Sequence, residues 1–274
     1  MCGFDFDTED IEFRQVAGQR LSGRLYRPRG AGETPLLVDV HGGAWINGDR
    51  LTNASIHEAL ARDGIAVFAI DFRLPPVARY PDTVADVNAG LRWALRHARD
   101  LGSRRELVGG LGTSSGGHLM ALNLLRPNDP LYAEEPGTGG LFDYVILCWP
   151  IVDPLARYKM VTAKGIDRLV DAHHQFWPSV ADMEKGNPQL IVERGEFERP
   201  LPNALLIQGT QDGNVDHYRA DMFGAAYRAA GGRAEVLKYE GEPHVFMTAK
   251  PDAPATLDAL EHMKRFVREQ TAGR

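Results

Sequence analysis

The chain has 274 residues, 43% of them hydrophobic, with 31 Lys and Arg against 37 Asp and Glu for a formal net charge of −6. That length suits one large α/β domain or two small ones, and the charge leaves no basic footprint for nucleic acid or an anionic membrane surface. No apolar run approaches the roughly 20 residues needed to span a bilayer, and two cysteines, Cys2 and Cys148, do not make a disulfide framework.

Taken in chain order, the acidic start MCGFDFDTED has neither a basic nor an apolar leader region, so the reading is a cytoplasmic protein. Residues 11–16 and 21–27 read as an antiparallel pair of strands. The continuous apolar runs at 35–40 (PLLVDV) and 65–72 (IAVFAIDF) read as strands buried on both faces. A helix over 52–62 falls between them, ended by Gly64. Val84, Val87, Leu91 and Leu95 mark a helical stripe within 82–99. ELVGGLGT then forms a strand running into the helix SSGGHLMALNLL, and further strands follow at 143–150 and 203–209. A helix (216–230), a strand (234–240), a loop with His244 and a terminal helix (255–269) close the chain.

This alternation predicts a mostly parallel central sheet flanked by helices in a single domain, 1–274. The segment 153–200, after the sixth strand, contains no strand of its own and reads as an inserted cap or lid.

Gly112-Thr113-Ser114-Ser115-Gly116 fits G-x-S-x-G between a strand and a helix, the sharp turn that lifts a serine hydroxyl above the sheet edge. Ser115 fails the same frame because Thr113 stands two residues before it, so Ser114 is the nucleophile candidate. A dinucleotide fingerprint breaks down at Ser115, where the third glycine would stand. His41-Gly42-Gly43-Ala44-Trp45 directly follows the strand PLLVDV, where backbone N–H groups can face a developing oxyanion. Gly42, Gly43 and Ala44 are assigned to that hole together with the N–H of Ser115, and His41 is read as a brace for the loop.

A hydroxyl needs an imidazole to take its proton and a carboxylate to orient the imidazole. Asp212 lies just past the strand NALLIQG and His244 just past EVLKYE, completing the order Ser, acid, His. Asp216 is the competing acid and is read as entering the next helix. His57, His97 and His262 read as solvated helix faces, His118 as structural, and His173-His174 as cap residues in reach of substrate. A metal site from them has no supporting ligand spacing, so neither metal nor cofactor is expected.

Three segments, HGGAW, DFRLPPVARYPDTVADVNAGLRW and GTSSGGHLM, resemble the hormone-sensitive-lipase-like carboxylesterases of the α/β-hydrolase superfamily. The resemblance covers about 20–150 and 200–265. It implies the α/β-hydrolase fold and ester hydrolysis through an acyl-enzyme without cofactor. By position it also implies Ser114, Asp212 and His244 as the triad, with Gly42 and Gly43 in the hole. Thr113, Ser115, Pro76-Val77 and the short N-terminal segment depart from the family pattern, leaning toward compact esterases and kynurenine-formamidase-like enzymes.

The expectation is thus a hydrolase of small or aryl carboxylic esters, with an arylformamidase or amidase of the same mechanism as the alternative. A ligand-binding homologue such as the gibberellin receptor would have a broken triad. Trp45, Trp149, Tyr158, Phe176 and Trp177 are the expected substrate-binding walls. The expected partner is a small ester or amide, with no nucleic acid and no membrane, and self-association is left open.

Overall fold

A computed structural model describes residues 3–137, 140–198 and 200–274, so Cys2 lies outside the described residues. Eight strands form one sheet: β1 (Phe6–Val16), β2 (Gln19–Pro28), β3 (Leu36–Val40), β4 (Ala66–Ile70), β5 (Val108–Thr113), β6 (Tyr144–Cys148), β7 (Asn203–Gly209) and β8 (Ala234–Tyr239). Their spatial order is β1-β2-β4-β3-β5-β6-β7-β8. From β4 to β8 every neighbouring pair is parallel, whereas β2 runs antiparallel to both β1 and β4. The β1–β2 register shifts between Glu12 and Arg14, a bulge that leaves Phe13 pointing into the core.

The helices between strands are α1 (Ala54–Ala61), α2 (Asp82–Arg96) and α3 (Ser115–Leu125). Then come α4 (Pro154–Ala163), α5 (Asp167–Phe176), α6 (Val180–Lys185), α7 (Pro188–Glu193), α8 (Tyr218–Ala229), α9 (Phe246–Ala249) and α10 (Pro254–Thr271). Side chains on a strand alternate between faces, and the core divides accordingly. Val38, Val40, Phe68, Val145 and Leu206 pack on one face with α2, α3 and α8. Leu37, Val67, Ile146 and Leu205 pack on the other face with α1 and α10. β3, β4, β5 and β6 are buried along their whole length and are mainly apolar because both of their faces are covered.

Between β6 and β7 the described residues form α4 to α7 and no strand. Three of these helices start on side-chain caps legible in the sequence. Asp153 accepts from the Ala156 N–H ahead of Pro154, Ser179 from Asp182, and Asn187 from Leu190 ahead of Pro188. Such caps satisfy one otherwise orphaned N–H each and are worth about 1 kcal/mol apiece.

Candidate active site

The turn from β5 into α3 holds Ser114 at φ 52°, ψ −119°, a left-handed backbone that a residue with a Cβ adopts only under constraint. The constraint is visible: the Ser114 N–H donates to the Cys148 carbonyl at 2.9 Å, and its carbonyl accepts from Ile151 at 3.1 Å. Gly116 is required by close approach, since a Cβ there would stand 2.0 Å from the Val40 carbonyl oxygen. The N-terminus of α3 therefore sits against the end of β3, with Ser114 between that end and the end of β6.

The loops after β7 and β8 are tied together. The Gln211 N–H donates to the Glu242 carbonyl and the Gly241 N–H to the Thr210 hydroxyl. Across this joint His244 Nδ1 meets Asp212 Oδ2 at 2.7 Å, and His244 Nε2 meets Ser114 Oγ at 2.9 Å. Asp212 Oδ1 accepts from the N–H groups of Asn214 and Val215, and Oδ2 also from Gln208 Nε2. Burial by itself raises the Asp212 pKa, but the hydrogen bonds from His244, Val215 and Gln208 outweigh it and hold the carboxyl below its ordinary range. An ionised Asp212 fixes the proton on Nδ1, which leaves Nε2 to accept from the serine hydroxyl. Ser114, Asp212 and His244 are thus brought into one hydrogen-bonded row. The rival acid, Asp216, faces Lys164 and the Tyr218 hydroxyl instead.

Beside the row lies a cavity of about 420 Å³ whose lining includes Gly42, Gly43, Ala44, Ser114 and His244. Gly43 has φ +123°, and a Cβ on it would stand 1.9 Å from the Asn47 carbonyl oxygen. Its own carbonyl accepts from Ile46 and Asn47, closing a turn in which Ala44 and Trp45 also take positive φ. Among the described residues no protein acceptor engages the N–H of Gly43, Ala44 or Ser115. Ser115, which departs from the family pattern, has a visible use: its hydroxyl accepts from the Trp45 N–H at 3.1 Å and joins the glycine loop to α3. His41 is buried, donates from Nδ1 to the Gly42 carbonyl and stacks on Phe72, the position of a brace.

The aromatic wall expected from the sequence is placed elsewhere. Trp45 is buried, stacked on Phe176 at 5.1 Å and edge-on to Trp177, and its Nε1 donates to His118 Nδ1. Trp149 is buried against Phe246, and the Tyr158 hydroxyl meets His174 Nε2. None of these five residues lines the cavity over Ser114. Phe176, at the end of α5, and Trp177 pack against Trp45 and bind the helical segment to the sheet domain. Composition marks such residues as aromatic but does not say which side they face.

His57 also departs from expectation. It is 0% exposed rather than solvated, with Nε2 on Asp39 Oδ2 at 2.9 Å. The sequence reading missed two arginines that line the cavity, Arg157 and Arg168, along with Asn53, Leu169 and Asn214. Arg157 had a signal, for it shares the buried stripe of α4 with Pro154 and Val161, and a charge on an apolar stripe calls for a partner.

The BD-FAE family model matches residues 24–155. The chain is 32% identical to the carboxylic ester hydrolase LipN of Mycobacterium tuberculosis over 86% of its length and 62% of that protein's. It is 27% identical to a probable isoprenylcysteine alpha-carbonyl methylesterase of Oryza sativa, over 80% of this chain and 53% of the relative. The chain thus spans between about half and three fifths of the length of these curated relatives. Among solved structures, the Pyrobaculum calidifontis esterase superposes with a TM-score of 0.81 at 22% identity, covering 97% of this chain and 87% of that one. The propionate-bound esterase 2 of Thermogutta terrifontis gives 0.78 at 26%, covering 96% and 94%. With its mostly parallel eight-stranded sheet flanked by helices, the chain has the α/β-hydrolase fold.

Proposed function

We propose that the protein is a carboxylic ester hydrolase that works through an acyl-enzyme on Ser114. The observation that carries this reading is the unbroken row Ser114 Oγ, His244, Asp212 opening onto a cavity beside the glycine loop. His244 Nε2 takes the hydroxyl proton as Oγ bonds to the ester carbonyl carbon, and the carbonyl π electrons move to oxygen. The N–H groups of Gly43, Ala44 and Ser115 have no competing protein acceptor and suit that oxyanion. On collapse the C–O bond to the alcohol breaks, and His244 returns the proton to the leaving oxygen. Water, deprotonated by the same nitrogen, then releases the carboxylic acid. The Asp212 carboxylate, held ionised, favours the imidazolium formed in both halves.

The helical segment 154–193 serves in this reading as a cap, because Arg157, Arg168 and Leu169 give the cavity its far wall. A cavity of about 420 Å³ suits short-chain or aryl esters. A fluorophosphonate probe tests the assignment. It should label one serine, Ser114, on a protein that hydrolyses 4-nitrophenyl acetate, and Ser114→Ala should abolish both. Label mapped to Ser115, or turnover surviving in Ser114→Ala, overturns it.

A further inference from the structure

The cavity beside Ser114 has a charge that the esterase reading does not use. Its lining contains Arg157 and Arg168 and not one Asp or Glu, although the chain as a whole is acidic. Arg157 is 4% exposed. Its Nε donates to the Asn214 carbonyl at 3.1 Å, its Nη1 donates to His173 Nε2 at 2.9 Å, and its guanidinium lies 5.5 Å from the Trp45 ring. All three neighbours are neutral. Among the described residues no carboxylate comes within ion-pair distance of it, whereas Arg73 meets Asp86 and Arg50 meets both Asp10 and Asp71. Asp212 attracts Arg157 from a distance, but its oxygens are occupied by four N–H donors and give Arg157 no hydrogen bond. Burial lowers the Arg157 pKa to about 10, which still leaves it cationic at neutral pH.

A buried cation with no anion in contact is costly, and proteins normally provide that contact themselves. Here the neutral partners hold the guanidinium in place at the wall of a substrate-sized space, and the exposed Arg168 adds a second positive charge at the rim. The guanidinium fork matches a carboxylate brought into contact with it.

We propose that the substrate carries a carboxylate in addition to its scissile ester, and that Arg157, assisted by Arg168, selects it. The inference rests on the esterase reading for its chemistry and on the cavity's charge for its specificity.

Two matched ester pairs test it and locate the carboxylate. Mono-4-nitrophenyl adipate against 4-nitrophenyl hexanoate places the charge on the acyl side. 3-Acetoxybenzoate against phenyl acetate places it on the leaving group. In one of the pairs the kcat/KM ratio of anionic to neutral ester should fall about tenfold or more in Arg157→Gln, and about threefold in the exposed Arg168→Gln. Raising the salt should shrink the ratio in the wild type. Should Arg157→Gln fail to fold, the Arg168→Gln and salt arms decide. Ratios unchanged in both variants and both pairs overturn the proposal, whatever the variants cost on neutral ester. If neither ester is turned over and no label reaches Ser114, the esterase reading is what fails. Calorimetric binding of adipate, present in the wild type and lost in Arg157→Gln or weakened in Arg168→Gln, then still supports the carboxylate site, and its absence in the wild type overturns it.

Discussion

Among the described residues two imidazoles touch a buried carboxylate, and only one of them sits where it can do chemistry. His244 reaches Asp212 at 2.7 Å through Nδ1 and Ser114 at 2.9 Å through Nε2. His57 reaches Asp39 at 2.9 Å through Nε2, but its Nδ1 is buried with no partner and its ring lies 5.0 Å from that of Tyr26. Asp39 in turn accepts from Asn53, whose amide also reaches the Thr113 hydroxyl beside the nucleophile. The first pair ends on a nucleophile and a cavity; the second ends in the core. A histidine–aspartate contact is therefore no sign of function until its free nitrogen is followed to what it faces.

The largest effect should separate the two carboxylates by rate. Asp212→Asn should lower kcat on the order of ten-thousandfold through loss of the productive tautomer, with the fold retained by circular dichroism. Asp39→Asn should leave kcat of the folded protein within about tenfold, and the opposite ranking would reverse the roles given to the two pairs.

Asp39→Ala should act on stability instead. Removing the carboxylate strands His57 Nε2 and an Asn53 N–H in the core, at a cost of about 3 kcal/mol in denaturant unfolding. A change below about 1 kcal/mol would mean that the pair is not structural.

A third measurement brings in an imidazole that has no carboxylate. His118 is fully buried, accepts from Trp45 and donates to the Gly186 carbonyl, and burial lowers its pKa to about 4. Its folded pKa lies below the unfolded value of about 6.5. Its stabilising contribution is thus complete above pH 6.5 and is lost as the pH falls toward 4, on the order of 3 kcal/mol in all. His118→Gln should flatten the stability–pH curve across that window, and parallel curves would exclude the linkage.

The smallest effect concerns the aromatic cluster. Trp177 Nε1 is buried without a partner, so Trp177→Phe removes an unsatisfied donor while opening a small void. The two should nearly cancel, leaving a stability change under about 1 kcal/mol and the acyl-chain preference unaltered. A shifted preference would return Trp177 to the substrate wall.

Much of this was legible in the sequence because it is local. The parallel strands announce themselves as apolar runs, and Ser114, Asp212 and His244 each fall just beyond a strand end, where an open parallel sheet gathers its loops. Asp153-Pro154, Ser179 and Asn187-Pro188 carried the starts of α4, α6 and α7, although the segment reads by default as an irregular insertion. What sequence spacing could not settle was orientation. Trp45 and Trp177 look like pocket residues by type and are packing residues by direction, whereas Arg157 looks like a solvated helix charge and faces the cavity. His57 reads as a helix-face residue because Asp39, its partner, is 18 positions away on a strand.

The bulged ribbon at the sheet's end has a consequence for how copies of the chain meet. β1 leaves one side of its backbone unpaired, a template onto which another strand could zip. Its exposed side chains include Asp7, Glu9, Asp10 and Glu12 within six positions. Asp7, Asp10 and Glu12 are already ion-paired with Arg29, Arg24 and Arg20 of the same chain, and the shift between Glu12 and Arg14 would break the run of bonds to a second copy. Growth of the sheet from one molecule into the next is discouraged at this border by its charged side chains and by the bulge.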